Sequence, residues 1–336
     1  MADKEKAPTL EDVIKDLNKE TPGSVIYGNN LETYDTVIST GSCGLDMALG
    51  PVGGIPLGKI VEIFGWESSG KSTIVQTIVG NAQRMGLKCL YLDSEGALDS
   101  AYSSKLNVSL EDLIIIQPDD QAGEKSYERM EKLVRTGEIN VVCIDSYNAL
   151  QPLKLLEGDI SESGMGLHAR MMGRLVMKVN TLAKQYNVLF IFVGQLREKI
   201  GGMIFGPNET TQAGNSLKFY SHIRMQVSRS TSKDNSIMEG DIKMGNKTSV
   251  KVLKNKIGPP FRSCSFDILY GEGIDRISEI IELSSEILPE EEFKKYGSSI
   301  TYNGTKQKIE DFKQLLTDTP ELYEELKEKI LKTVNL

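Results

Sequence analysis

The segment GWESSGKS at residues 65–72 constrains the possible folds more than any other feature of this chain. It fits the pattern G-x-x-x-x-G-K-S/T, follows the apolar run 60–64 and leads into the helical pattern 73–79. A strand, a glycine-rich turn and a helix in this order direct backbone N–H groups and a helix dipole at one anion. In such a turn Lys71 reaches the β- and γ-phosphates, and the hydroxyl of Ser72 binds Mg²⁺. The sequence therefore predicts a binding site for ATP or GTP, made by the eight residues Gly65, Trp66, Glu67, Ser68, Ser69, Gly70, Lys71 and Ser72.

The composition is that of an ordinary globular protein. With 336 residues, 39% hydrophobic and 26% charged, the chain can form one large domain with one or two small ones. It has no 18-residue apolar run and no apolar core near its start, so we expect a cytoplasmic protein without a membrane partner. The cysteines are far apart, which favours buried free thiols over a disulfide or zinc framework: Cys43, Cys89, Cys143 and Cys264.

The charge distribution is uneven along the chain. A net charge of −8 argues against a nucleic-acid partner, because Lys and Arg supply most phosphate contacts. However, residues 151–263 carry 17 Lys/Arg against 8 Asp/Glu, while the rest of the chain carries 22 against 39. The middle third is therefore basic, although surface charge can also vary along a sequence without any functional consequence.

The pattern of apolar runs predicts an α/β fold. Short apolar runs alternate with helical patterns such as 122–136 and 167–185. The runs are 61–64, 89–93, 113–116, 141–145 and 188–194. Continuous apolar strands separated by helices are typical of a mostly parallel sheet covered on both faces. Two further strands are predicted at 223–229 and 249–254, with a hairpin or an excursion between them.

The segments before and after this core predict two smaller parts. Residues 1–34 contain an amphipathic helix, Leu10 to Leu17, which is too small to fold alone and needs its own core or a neighbouring subunit as a partner. Residues 271–336 read as a small α+β domain that ends in a charged helix. The predicted organisation is therefore 1–34, 35–270 and 271–336.

Polar residues that end apolar runs are expected at the ligand edge of an open α/β sheet. Asp145 closes the run 141–144 and is a candidate for the Mg²⁺ side of the site. Glu95 could position the attacking water, or could equally be a solvated loop acid. Gln195 could contact a γ-phosphate, or could only complete hydrogen bonds at a strand end. Tyr102 is a candidate for stacking on a base, although an aromatic residue is more often part of a core.

Several motifs, in order and spacing, resemble the bacterial RecA recombinase family: GWESSGKS, YLDSEGALD, CIDSYNAL, MGLHARMM, FVGQLREKIG, ETTQAGNSLKFY and VKVLKNKIGPPF. The likeness extends from about Ile38 to Gly273. It implies a P-loop NTPase core of that family, with a mostly parallel sheet flanked by helices, that binds ATP and Mg²⁺.

The resemblance also implies roles for single residues. Lys71 and Ser72 contact phosphate and Mg²⁺, and Glu95 is the catalytic carboxylate. Gln195 couples the γ-phosphate to a DNA-binding loop. Further implied roles are those of Asp145 on the Mg²⁺ side, of Asp99 and Tyr102 at the adenine, and of Lys254 and Lys256 at the ATP of an adjacent filament subunit.

Two long glycine-rich segments, 157–166 and 197–214, resemble the DNA-binding loops of the family. Between them Arg170, Arg174 and Lys178 recur at i, i+4 and i+8, which suits a phosphate backbone but is also typical of a solvated helix face. The second loop offers cations and apolar groups for unstacked bases: Arg197, Lys199, Met203, Ile204 and Phe205.

The resemblance implies a protein of DNA recombination and repair that forms a helical filament on single-stranded DNA and exchanges strands with duplex DNA. It also raises activation of a self-cleaving repressor in a DNA-damage response. The alternatives are a DNA helicase or repair ATPase on the same core and, further away, a small-molecule kinase. Four residues depart from the family pattern, so the sequence does not predict the nucleotide or DNA contacts at these positions: Trp66, Gly173, Met177 and Gly194.

Overall fold

The computed structural model describes residues 8–20, 25, 27–28, 34–117, 122–158, 166–198, 209–211, 215–229 and 236–334. For residues 197–198, 209–211 and 239 only the backbone is described. The chain divides into two compact units, Met1–Asp35 and Thr36–Leu336.

The described part of the first unit centres on helix α1, Leu10–Glu20. Its start is capped reciprocally, since the Thr9 N–H donates to Asp12 Oδ2 (3.1 Å) and the Asp12 N–H donates to Thr9 Oγ1 (3.2 Å). None of its residues is buried, and Leu10 and Leu17 are largely exposed. The predicted helix is confirmed and runs three residues beyond its predicted end.

The second unit is built on one twisted sheet with helices on both faces. A short antiparallel pair precedes it, β1 (Val37–Ile38) with β2 (Ile55–Pro56). The sheet, as far as it is described, contains β3 (Ile60–Gly65), β4 (Cys89–Asp93), β5 (Leu113–Ile116), β6 (Val141–Asp145), β7 (Leu189–Glu198), β8 (Glu209–Thr211), β9 (Ile223–Arg229), β10 (Ser236–Glu239), β11 (Ile242–Asn255), β12 (Ser263–Leu269) and β13 (Gly273–Ile274).

The helices of this unit that precede residue 276 are α2 (Cys43–Leu49), α3 (Lys71–Arg84), α4 (Ser100–Lys105), α5 (Gly123–Val134), α6 (Leu153–Glu157), α7 (Leu167–Gln185) and α8 (Ser216–Tyr220). The strand order is β13-β12-β11-β9-β3-β7-β6-β4-β5, with β10 beside β11 and β8 beside β7. The six strands from β9 to β5 are parallel, whereas β11, β12 and β13 pair antiparallel.

Apolar side chains of the parallel strands alternate between the two faces of the sheet. In β4, for example, Cys89 and Tyr91 belong to the core with α2 and α3, while Leu90 and Leu92 belong to the core with α5 and α7. Side chains on both faces are buried, which explains why these strands read as continuous apolar runs. The predicted α/β class with a mostly parallel, helix-covered sheet is confirmed.

The chain after the sheet forms a small α+β part with its own core. It contains α9 (Arg276–Ile287), the meander β14 (Phe293–Tyr296), β15 (Ser299–Tyr302) and β16 (Thr305–Lys308), then α10 (Ile309–Asp318) and α11 (Pro320–Thr333). Phe293, Tyr302 and Phe312 pack together at centroid distances of 5.7 to 6.1 Å. The central sheet extends to Ile274, and the domain boundary at 270 stays a prediction.

One predicted strand is longer than expected. The strand predicted at 249–254 is part of the much longer β11, because the polar residues before it pair with β10 in a hairpin and with β12.

The four cysteines are free, and three of them are buried, as expected. Among the described residues no helix is long and apolar enough to cross a membrane, and no group of His, Cys, Asp or Glu could hold a metal ion by itself.

Candidate nucleotide site

The glycine-rich turn connects β3 directly to α3, and its glycines are sterically required. Gly70 has φ +97° and precedes the first helical residue, Lys71. A Cβ at Gly65 would lie 2.0 Å from the carbonyl oxygen of Val227, and one at Gly70 would lie 2.5 Å from Ile268 Cδ1. The turn is therefore packed tightly against β9 and β12, and α3 points its amino end into the cleft above the sheet.

Two features of this turn fit a phosphate group. The Ser69 hydroxyl is buried and has no hydrogen-bond partner among the described residues, so a donor remains for a phosphate oxygen. The buried Lys71 ammonium donates to the Trp66 carbonyl (2.7 Å), within the turn itself. Burial lowers the pKa of Lys71, while the carboxylates of Asp145 and Glu95 act in the opposite direction. An anion at the turn would supply the charge partner that Lys71 needs there.

The oxygen atoms expected to face Mg²⁺ are already together. Ser72 Oγ donates to Asp145 Oδ2 (2.8 Å), and the Tyr91 hydroxyl donates to the same oxygen (2.7 Å). Burial raises the pKa of Asp145, and these two hydrogen bonds counter it. A hydroxyl next to a carboxylate is a suitable donor set for a hard divalent cation. Nothing in the sequence indicated that Tyr91 belongs to this site, because it is one aromatic residue within an apolar strand.

Glu95 and Gln195 meet although 100 positions separate them in the chain. Gln195 Nε2 donates to Glu95 Oε1 (3.1 Å), and Ser146 Oγ donates to the same oxygen (2.5 Å). The Gln195 N–H donates to Asn148 Oδ1 (2.8 Å), which fixes the backbone at this point. Because Gln195 pairs in register with Gly65, its side chain lies beside the start of the phosphate turn.

Glu95 and Asp145 line a common small cavity of about 30 Å³, together with Ser72 and Tyr91. A space of this size accommodates about one water molecule. The structure thus brings together the predicted residues Lys71, Glu95, Asp145 and Gln195. Their catalytic roles stay predictions.

A second, larger cleft of about 480 Å³ extends from the turn residues 68–73 past Tyr102 to Asn246 and Tyr270. The Tyr102 hydroxyl is 2.8 Å from Thr73 Oγ1. Asp99 accepts from the Tyr102 N–H (2.7 Å) and so caps α4, a structural role that the sequence analysis missed. Asn246, which donates to the Tyr270 hydroxyl, was also missed, because no motif connects these residues to the turn.

Lys254 and Lys256 lie far from this site in their own chain. Asn255 pairs with Ile223 at the amino end of β9, which in turn pairs with Val61 at the amino end of β3. The phosphate turn starts at the other end of β3, about 13 Å further along the strand. Lys254 Nζ donates to the carbonyls of Lys218 and Phe219 (2.6 and 2.9 Å) at the end of α8.

The amino edge of the sheet carries a concentration of positive charge around His222. The Ile60 N–H donates to His222 Nδ1 (3.1 Å). Burial, and then the charges of Lys59 and Lys256, lower the pKa of His222 to about 4. The imidazole is therefore neutral near physiological pH, and this edge presents lysines and no histidine charge.

The structure describes part of the predicted DNA-binding region. Most of the loop 157–166, and Lys199, Met203, Ile204 and Phe205 of the second loop, lie outside the described residues. The described residues of the second loop include a short ladder, because β7 and β8 pair antiparallel with Arg197 opposite Thr210. Arg170, Arg174 and Lys178 line one groove beside α5. Their contact with DNA stays a prediction.

One departure from the family pattern has a steric explanation. A Cβ at Gly194 would lie 2.3 Å from the Tyr147 hydroxyl and 2.6 Å from its Cζ, so the tyrosine ring takes the space of a side chain at 194. The Tyr147 hydroxyl donates to the buried Glu62 (3.2 Å), which also pairs with Arg224. The glycine is thus a consequence of the neighbouring tyrosine.

Comparisons with known proteins identify the family of this chain. A family model described as the RecA N-terminal domain matches residues 8–275. Among curated relatives, Protein RecA of Laribacter hongkongensis is 43% identical over 335 residues, which cover 98% of this chain and 92% of the relative. Protein RecA of Porphyromonas gingivalis is 42% identical over 343 residues, with 98% of each chain covered. Protein RecA of Clostridioides difficile is 41% identical over 99% of this chain and 94% of the relative. The chain belongs to the RecA family.

Proposed function

We propose that this chain is an ATP-dependent DNA recombination and repair protein that polymerises on single-stranded DNA and exchanges strands with a homologous duplex. The observation that carries the proposal is the meeting of Lys71, Ser72, Asp145, Glu95 and Gln195 at one sheet edge. A phosphate turn alone supports nucleotide binding. The contact between Glu95 and Gln195 adds a connection between the reacting phosphate and the second loop.

Each of these site residues has a separate role in ATP hydrolysis. The turn and Lys71 hold the phosphates, and Ser72 with Asp145 forms the side that would receive Mg²⁺, which supplies charge neutralisation when bound. Glu95, across the small cavity, accepts a hydrogen bond from the attacking water and orients it. Hydrolysis depends mainly on such positioning, which the short contacts of Glu95 to Ser146 and Gln195 favour.

Gln195 is placed to report the state of the nucleotide. Its amide bonds Glu95, and Leu196 immediately begins the ladder with β8 that closes the second loop. A γ-phosphate that competes for this amide would shift the start of the ladder and change how the loop meets DNA. Residues 157–166 and 197–214 are proposed as the two DNA-binding loops on this basis and on the family resemblance.

The position of Lys254 and Lys256 supports the proposed filament. Both lie at the amino edge of the sheet, where they cannot reach the phosphate turn of their own chain. We assign them to the ATP of an adjacent subunit, and residues 1–34 to the polymerisation contact. The part 271–336 is proposed as a separate C-terminal domain on residues 35–270.

The test is ATP hydrolysis with and without single-stranded DNA. Lys71→Ala should abolish turnover, whereas Lys132→Ala, an exposed lysine on α5, should leave it unchanged. Gln195→Ala should keep binding of a fluorescent ATP analogue and lose stimulation by DNA. Hydrolysis that is indifferent to DNA in the unmodified chain would refute the recombinase assignment.

The other roles that the resemblance implies have less support from the described residues. A ring-forming helicase would use closed oligomers and translocation, and electron micrographs of helical filaments would exclude it. Activation of a self-cleaving repressor stays a prediction, because no described residue bears on it. A cleavage assay with a non-hydrolysable ATP analogue would test that role by itself.

A further inference from the structure

A groove of about 470 Å³ lies between α5, α6 and α7, and none of its described lining residues also lines the nucleotide cleft. We call it the α5–α7 groove. It is lined by Glu124, Tyr127, Glu128, Pro152, Lys154, Leu167, Arg170, Met171, Arg174, Leu175 and Lys178. The ATP binding and hydrolysis proposed for this chain do not involve the groove.

The walls of the groove carry more positive than negative charge. Lys154, Arg170 and Arg174 are exposed and have no ion pair among the described residues, and Lys178 lies 5.2 Å from the centre of the Tyr127 ring. Helix α7 contributes three of these cations and contains no acidic residue. Of the two glutamates opposite, Glu124 is engaged, because its Oε2 accepts from the Leu153 N–H (2.9 Å) at the start of α6.

The floor of the groove is apolar. Met171, Leu175 and Pro152 are buried, and so is Tyr127. A groove with an apolar floor and cationic walls complements a chain that carries carboxylates on both sides of an apolar side chain. A DNA strand fits less well, since its phosphates would meet both glutamates and the buried Tyr127 ring offers no face for base stacking.

We propose that the α5–α7 groove binds an acidic peptide segment of a partner protein, with an aliphatic or aromatic anchor on the floor and carboxylates against Arg170, Arg174 and Lys178. This interaction is separate from the proposed ATPase site and requires neither nucleotide nor DNA. The partner would meet the α7 cations directly after the loop 157–166, so its binding and the path of DNA beside this loop would influence each other.

The test uses the full chain and a short fluorescein-labelled peptide with two leucines flanked by glutamates, measured by fluorescence anisotropy without ATP or DNA. The peptide should bind, and the double variant Arg174→Glu with Lys178→Glu should weaken it by about tenfold or more. The matched control is Lys132→Glu, which reverses an exposed charge on α5 outside the groove. Melting temperatures verify that the variants, all at exposed positions, remain folded.

Two altered peptides decide what the groove recognises. Serines in place of the leucines, and lysines in place of the glutamates, should each remove most of the binding. If the serine peptide binds as tightly as the original, the groove is only an electrostatic track and the proposal fails. It fails equally if Lys132→Glu weakens binding as much as the double variant.

A peptide with the sequence of this chain's own residues 8–20 is measured in the same binding assay. It carries acids beside the exposed Leu10 and Leu17. If this peptide binds through Arg174 and Lys178 and the leucine–glutamate peptide does not, the occupant is a second copy of the chain. That result would overturn the assignment to a partner protein. Because no arm measures hydrolysis, failure here and failure of the proposed ATPase are distinguishable.

Discussion

Glu279 on α9 is buried against the start of α2 and should make the stability of this chain depend on pH. Its Oε1 accepts from Ser42 Oγ (2.5 Å) and the Gly44 N–H (3.1 Å), and its Oε2 accepts from the Cys43 N–H (3.1 Å). Burial raises the pKa of Glu279 from 4.5 to about 7, against the effect of these three donors. The three donors favour the carboxylate, but burial outweighs them, so the folded chain is most stable when this carboxyl is protonated.

The magnitude follows from the difference in pKa between the folded and unfolded chain. A rise from 4.5 to about 7 corresponds to about 3 kcal/mol at about 1.4 kcal/mol per unit. Since the folded state binds the proton more tightly, this stability is fully present below pH 4.5. It is lost as the pH rises towards 7. Burial also raises the pKa of Asp46, so this residue contributes a pH dependence of the same sign. The ammonium of Lys327, 3.7 Å from Asp46, lowers that pKa and opposes the effect.

The perturbation is Glu279→Gln, and the assay is urea unfolding followed by far-UV circular dichroism at several pH values. The unmodified chain should lose about 3 kcal/mol more than the variant between pH 4.5 and 7. The difference between the two chains is the relevant quantity, because His222 contributes a pH dependence of opposite sign. Glu286→Gln, at an exposed position on the same helix, is the control and should follow the unmodified chain.

Equal pH dependence in the unmodified chain and Glu279→Gln would refute this reasoning. It would mean that water or a small movement of α9 solvates the carboxylate at neutral pH. A steeper dependence in the variant would also contradict it, since glutamine has no proton to exchange in this range.

Three further outcomes are expected. Tyr91→Phe removes a hydrogen bond to the Asp145 carboxylate. Such a bond is worth about 1.5–3 kcal/mol, so the Mg²⁺ concentration for half-maximal ATP hydrolysis should rise about tenfold. An unchanged Mg²⁺ titration would exclude a role for this hydroxyl at Asp145. Gly194→Ala should lower the melting temperature because of the Tyr147 ring. In a Tyr147→Val background, which is itself destabilised by the loss of a buried ring, the same substitution should lower it much less, and an equal effect in both backgrounds would contradict the steric explanation. His222, with its pKa lowered to about 4, stabilises the folded chain above pH 6.5 and loses that contribution as the pH falls towards 4; His222→Gln should therefore resist acid better, and equal acid sensitivity would contradict this.

The sequence was informative about residues that belong to local patterns. The strand, turn and helix around residues 60–79 share one continuous segment, and Asp145 and Gln195 each follow an apolar run. Because parallel strands end at the same edge of a sheet, their meeting could be predicted without coordinates.

Contacts that depend on strand register or on distant segments could not be predicted. Tyr91 reaches Asp145 only because β4 and β6 are neighbours in a particular register. Glu279 and Ser42 are 237 positions apart, and neither belongs to a motif. Likewise, the spacing of Arg170 and Arg174 indicated a charged helix face, but the apolar floor and the glutamates opposite come from α5 and α6.

The separation of the phosphate turn and Lys254 by the length of β3 has a consequence for assemblies of any finite length. If each nucleotide is completed by the lysines of the next subunit in a head-to-tail contact, an assembly that does not close into a ring has two unlike ends. One terminal subunit then holds a nucleotide without its lysines, and the opposite terminus offers lysines without a nucleotide. The two ends differ chemically, so growth and loss of subunits should be directional, and turnover per subunit should rise with filament length.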